Sequence, residues 1–130
     1  MEGPEQIWHS APEMQVLDDA GHQDGGRSLT SAGSLYDLYP PTADVVKPAG
    51  EWNEVRVVAR GPRIEHWLNG TKIVEFEAWS EDWNQRVRNS KFIDYPGFGE
   101  ARSGHIGLQD HGDQIWFRNI RIRPLAEGGA

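Results

Sequence analysis

The sequence predicts an all-β sandwich carrying one short helix. Three observations point there. Apolar and polar residues alternate with period two over several short runs, an Asn69-Gly70 pair separates two of those runs, and the 130-residue chain is rich in turn formers, with Gly 15 and Pro 8. Each such strand shows one face to a core and the other outward, which is what two stacked antiparallel sheets require. A single domain over residues 1–130 accommodates the whole length.

The elements follow in order. In Glu13-Met14-Gln15-Val16-Leu17-Asp18, alternation puts Glu13, Gln15 and Leu17 on one face and Met14 and Val16 on the other. A polar loop over 19–34 contains Gly21, Gly25, Gly26 and Gly33 and is long for a simple connector. The apolar piece Ser34-Leu35-Tyr36-Asp37-Leu38 stops at Pro40-Pro41. Residues 54–60 alternate, Gly61-Pro62 turns the chain into 64–68, and Asn69-Gly70, both tolerant of positive φ, turns it again into 72–76. That is three consecutive antiparallel strands. Ser80 ahead of Glu81 and Asp82 reads as a helix cap with acids at the positive end of the dipole, while Arg86, Arg88 and Lys91 sit near the other end. The helix is expected near 81–90, with Trp83 and Val87 facing the protein. Two closing strands are expected at 105–109 and 115–122, before a disorder-prone Gly-rich tail of about 126–130. The count of roughly seven strands is low for a large sandwich.

Composition excludes several functions. With 13 basic against 20 acidic residues the net charge is −7, which opposes binding to phosphate backbones. Apolar runs of about three residues fall far short of the roughly 20 needed to cross a bilayer, and Met1-Glu2-Gly3-Pro4 does not open like an export leader, so a soluble chain is expected. The absence of cysteine removes disulfides, thiolate zinc sites and thiol nucleophiles while leaving the compartment open. Neither a phosphate-binding glycine loop nor a Gly-x-Ser-x-Gly elbow occurs. Trp 6 is a high count for so polar a chain, and indole faces suit sheet packing and sugar stacking alike.

Two polar groups stand out. His105, Gln109, Asp110, His111 and Asp113 crowd into nine residues among glycines that allow close approach, although taken alone a solvated turn around Gly112 explains them more simply than a site. Glu13 and Gln15 share a strand face, with Asp18, Asp19 and His22 just downstream; a carboxylate and an amide so placed can hold sugar hydroxyls, and a partly buried Glu13 can move a proton. Histidines and carboxylates also leave a divalent cation open, but no zinc helix or calcium-loop spacing is present, and no cofactor is required by the sequence. In residues 116–122 strict alternation mixes Arg118 with Ile120 and Ile122, so a bulge is expected to reset the register. His66 shares parity with Ile64 and Leu68 and is expected to be packed and hydrogen-bonded.

Taken together, Pro12-Glu13-Met14-Gln15-Val16-Leu17-Asp18-Asp19, Leu35-Tyr36-Asp37, Lys47-Pro48-Ala49-Gly50-Glu51-Trp52-Asn53-Glu54, His66-Trp67-Leu68-Asn69-Gly70, Gly104-His105-Ile106-Gly107-Leu108-Gln109-Asp110-His111-Gly112 and Phe117-Arg118-Asn119-Ile120-Arg121-Ile122 resemble the 3-keto-disaccharide hydrolase domain. The resemblance covers about residues 7–125. It implies a concanavalin A-like jelly-roll sandwich with ligands on its concave face, a periplasmic or secreted bacterial setting, and cleavage of glycosides oxidised at carbon 3. The N-terminal strands that family members carry before the Glu13 segment have no counterpart here, so the sheet is expected to be incomplete, with an edge that a partner or a further copy covers. Under this reading the catalytic candidates are Glu13, His111 and Gln109, with Glu13 or His111 as the base. Gln15, Asp18, His105, Arg118 and His22 are candidates for substrate binding. A non-catalytic carbohydrate-binding module of the same fold is the alternative.

Overall fold

The computed structural model describes residues 6–126. Its centre is an antiparallel meander in the order β1-β2-β3, formed by β1 (Val55–Arg60), β2 (Arg63–Leu68) and β3 (Thr71–Glu77). Asn69 at φ 50 and Gly70 at φ 83 make the tight β2–β3 turn that the Asn-Gly pair predicts. Register aligns Val57 with His66 and Val74, and Ala59 with Ile64 and Phe76, so these residues share one face. The other face is polar: Arg63 pairs with Glu75, and the Arg56 guanidinium lies 4.5 Å from the centre of the Trp67 ring.

An aromatic row forms the core beside the sheet. Tyr39 stacks on Phe76 at 5.1 Å, Phe76 on Trp83 at 5.6 Å, Trp83 on Phe98 at 6.2 Å, and Phe98 on Phe92 at 4.0 Å. Trp83 comes from α1 (Glu81–Arg88), which starts where Ser80 Oγ accepts the Trp83 N–H at 3.2 Å, as its cap predicts. The helix ends slightly earlier than expected because the Asn89 N–H folds back onto the Gln85 and Val87 carbonyls. Asp82 and Arg86 lock this helix to the 38–39 segment: the Tyr39 hydroxyl donates to Asp82 Oδ2 at 2.5 Å, and Arg86 donates to Asp82 and to the Leu38 carbonyl.

His66 is the packed histidine the sequence predicts. It is 2% exposed, and its Nδ1 donates to the Gly33 carbonyl at 2.9 Å. Burial holds its pKa below the ordinary histidine value, although the Gly33 bond pulls the other way. The sign follows from linkage. Below about pH 6.5 the unfolded chain takes up a proton that the folded chain refuses, so this contribution is present above that pH and lost as the pH falls through it. Urea midpoints are therefore expected to drop on the acid side, and His66→Phe to flatten that part of the profile while lowering stability by about 1–3 kcal/mol for the unpartnered Gly33 carbonyl. An unchanged slope in the variant contradicts this assignment.

The expected closing strands do not pair. Residues 105–109 and 115–122 are exposed, with Ile106 at 78% and Ile122 at 75%, and form no ladder among the described residues. Instead of roughly seven strands, the described chain has the three-stranded meander and two isolated antiparallel bridges, Met14↔Leu35 and Leu35↔Tyr39. Alternation specifies which side chains want cover, but a ladder also needs a neighbouring backbone, and none lies alongside these segments among the described residues. The free edge β1 repeats the pattern, with Val57 on the inner face still 54% exposed. Asn119 takes φ 55 where a register break is expected. The expectation for the tail falls chiefly on residues 127–130, outside the described residues. Among the described residues no helix is long and apolar enough to cross a membrane.

Candidate active site

The segment beginning at Glu13 lies antiparallel to the one ending at Tyr36. Tyr36 N–H donates to the Glu13 carbonyl at 2.9 Å, Gln15 N–H to Ser34 at 3.0 Å, and Gly33 N–H to Gln15 at 2.8 Å. Glu13 and Tyr36 thereby flank the Met14↔Leu35 bridge as cross-strand neighbours and share a face. The face that holds Glu13 and Gln15 turns inward, leaving Val16 in solvent.

The long polar loop folds back over this pair. His22 caps the 3₁₀ turn Gln23–Gly26 by accepting the Asp24 N–H at Nδ1, 3.1 Å away, so in its neutral form the ring carries its proton on Nε2. Thr30 Oγ1 donates to the Asp24 carbonyl at 2.7 Å, and Gln15 Nε2 donates to the Thr30 carbonyl at 3.1 Å. Gly25 is packed so tightly on the Asp19 backbone that an added Cβ would overlap it. The loop is a built support for His22 and Asp24.

The exposed C-terminal segment returns to the body. Gly107 passes close to Ile7, the His111 ring lies 5.7 Å from the His22 ring, and the Arg118 guanidinium sits 4.0 Å over the Trp52 ring. The middle contact brings the turn around Gly112 to the Glu13 corner. Burial, the largest influence, raises the Glu13 pKa; the charges of Lys91 and His111 lower it, and Asp24 raises it. The Tyr36 phenol is also pushed up, by burial first and then by Asp24 and Glu13, so it remains a proton-bearing donor. Glu13 and Tyr36 are therefore cross-strand neighbours on one face, and the charges of Lys91, His111 and Asp24 act on that half-buried carboxyl.

The candidates named from sequence divide accordingly. The His22 and His111 rings approach one another, and the His111 charge acts on Glu13. Gln109 and His105 stand on the exposed segment leading to His111. Gln15 is buried and its amide is engaged by Thr30, which makes it a support for the loop rather than an open sugar contact. Asp18 is exposed at the turn closed by Gly21 N–H on its carbonyl, and is not among the charges that act on Glu13. Arg118 is drawn onto Trp52, away from the role of partner to Glu13. Sequence reasoning missed Asp24, Tyr36 and Lys91; only Tyr36 carried a signal, in the Leu35-Tyr36-Asp37 motif. Among the described residues no three His, Asp or Glu side chains gather closely enough to share a metal ion.

Two shallow surface hollows lie elsewhere, one of about 620 Å³ beside Arg63, Glu75 and Glu77 and one of about 340 Å³ beside Lys47, Glu54 and Asn69. Hydrogen bonds from Lys72 and Arg63 hold Glu75 below the usual carboxylate range.

A solved protein from Parabacteroides distasonis, provisionally named a glycosyl hydrolase, matches with a TM-score of 0.67 at 33% identity, over 78% of this chain and 49% of its own. A 3-keto-disaccharide hydrolase of Bacteroides thetaiotaomicron is 37% identical over 93% of this chain and 46% of its own length. The 3-keto-alpha-glucoside-1,2-lyase-like domain model matches residues 2–123, and the chain belongs to that family. It spans about half the length of the relatives it matches.

Proposed function

We propose that the chain cleaves 3-keto-glycosides at the glycosidic bond, with Glu13 as the base. The observation that carries this reading is the half-buried Glu13 carboxyl within reach of the His111 charge, in a chain similar to a 3-keto-disaccharide hydrolase. A ketone at carbon 3 acidifies the hydrogen on carbon 2. Glu13 takes that proton, and the C–H electron pair forms the C2=C3 bond as the carbonyl pair moves onto O3. When the enolate collapses, C3=O reforms, C1=C2 forms, and the C1–O bond leaves with its electrons. His111, paired with His22, protonates the departing oxygen. Water then adds, its hydroxyl to C1 and a hydrogen to C2, so the net change is hydrolysis. A carboxyl raised by burial is a better base near neutrality than a solvated one, which matches this task.

The same proposal includes the finer fold. A jelly-roll sandwich would cover the apolar side chains of 105–122 and the β1 edge with strands from outside residues 6–126, whether from a longer chain, a partner or a further copy; the exposed Ile106, Leu108, Trp116 and Ile122 support this, as does the greater length of the relatives. A periplasmic or secreted setting belongs to the same reading.

Incubating the chain with a 3-keto-glucoside and following the sugar by NMR, with and without chelator, tests the activity. Release of the leaving group together with a 3-keto sugar is expected. Binding of unmodified glucosides without turnover of the keto form would replace this reading with a carbohydrate-binding module. Amide exchange on the same sample tests the finer fold: protection over 105–122 is expected only when those strands are covered.

A further inference from the structure

We propose that Lys91 stabilises the negative charge that develops on O3 when the carbon 2 proton leaves, an assignment that rests on the reaction proposed above. Lys91 is held by its surroundings on two levels. Its backbone N–H donates to Asp37 Oδ2 at 3.1 Å, tying it to the residue that follows Tyr36. Its ammonium lies 4.6 Å from the centre of the Tyr36 ring and 4.6 Å from that of Trp8, with Phe92 at 5.5 Å. Ring faces attract a cation by roughly 0.5–2 kcal/mol each, without neutralising it.

The charge is thus positioned but not spent. The ion pairs of the described residues engage the other lysine and arginine groups named in them, and none links Lys91 to a described carboxylate. Tyr36, whose ring it covers, is the cross-strand neighbour of Glu13, and of the charges acting on Glu13 that of Lys91 is the largest. In the substrate the acidic hydrogen on carbon 2 and O3 are on neighbouring carbons. A base and, across its Tyr36 neighbour, a cation resting against ring faces suit the formation of an enolate. The proton passes to Glu13, the electron pair arrives on O3, and Lys91 faces the oxygen that receives it.

Lys91→Met keeps most of the stem that packs on the rings and removes the charge; Lys91→Arg keeps the charge. The readouts are kcat and KM with a 3-keto-glucoside, and deuterium uptake from solvent at carbon 2 of the keto sugar, which reports enolate formation separately from bond cleavage. In Lys91→Met, kcat and carbon 2 exchange are expected to fall together by about 10²–10³-fold with KM changed only a few-fold, and Lys91→Arg to recover most of both. Exchange and kcat that stay within about twofold of wild type, or a rise in KM alone, overturn the assignment. A wild-type chain that neither exchanges carbon 2 nor turns the substrate over overturns the underlying reaction instead, and the role of Lys91 falls with it.

Discussion

Glu13→Gln is expected to lower kcat on a 3-keto-glucoside by about 10²–10⁴-fold while leaving the chain folded. The amide is nearly the same shape, and the contact that holds this segment, Tyr36 N–H on the Glu13 carbonyl, uses only backbone. What disappears is the acceptor for the carbon 2 proton. The wild-type pH profile makes the same point. A base works ionised, so activity should rise with pH through the Glu13 pKa, and burial moves that rise upward from the ordinary glutamate value. Far-ultraviolet circular dichroism matching wild type, combined with kcat within tenfold of it, would move the base to another residue, His111 first.

Trp83→Ala is the largest stability effect expected, a loss of about 3–5 kcal/mol from a total that for domains of this size is about 5–15 kcal/mol. Trp83 is the hub of the aromatic row, touching Phe76 of β3 on one side and Phe98 on the other, and Gly99 lies so close that its missing side chain is part of the fit. Removing the indole detaches the helix from the sheet. It also loosens the turn Lys91–Asp94, whose Phe92 stacks on Phe98, and through it Lys91 beside Tyr36. A urea midpoint falling by half or more is the expected measurement; a midpoint near wild type would mean that the row is not the core.

These two sites differ in how far the bare sequence reaches them. Local signals reach the meander, because period-two alternation and the left-handed tolerance of Asn69 and Gly70 act within a hairpin. They also reach the helix, because Ser80, Glu81 and Asp82 cap and charge its first turn without help from elsewhere. Glu13 and His111 were readable as chemically suited residues, and His66 as a buried one. The direction of the polar loop was not readable: the bonds from Gln15 to Thr30 and from the Asp24 N–H to His22 turn it back so that the His22 ring approaches that of His111. Nor was the fate of Arg118, which alternation leaves ambiguous and which Trp52 resolves.

Strand, turn and cap identity follow from residues near one another in the chain, and those were settled by composition and spacing. The corner of Glu13, Tyr36, His22, His111 and Lys91 exists because segments remote in sequence are packed together, and only three-dimensional packing chose which of their side chains meet. The same reason explains the unpaired 105–122 segment: its apolar alternation states a need for cover, while a ladder forms only where another backbone lies alongside.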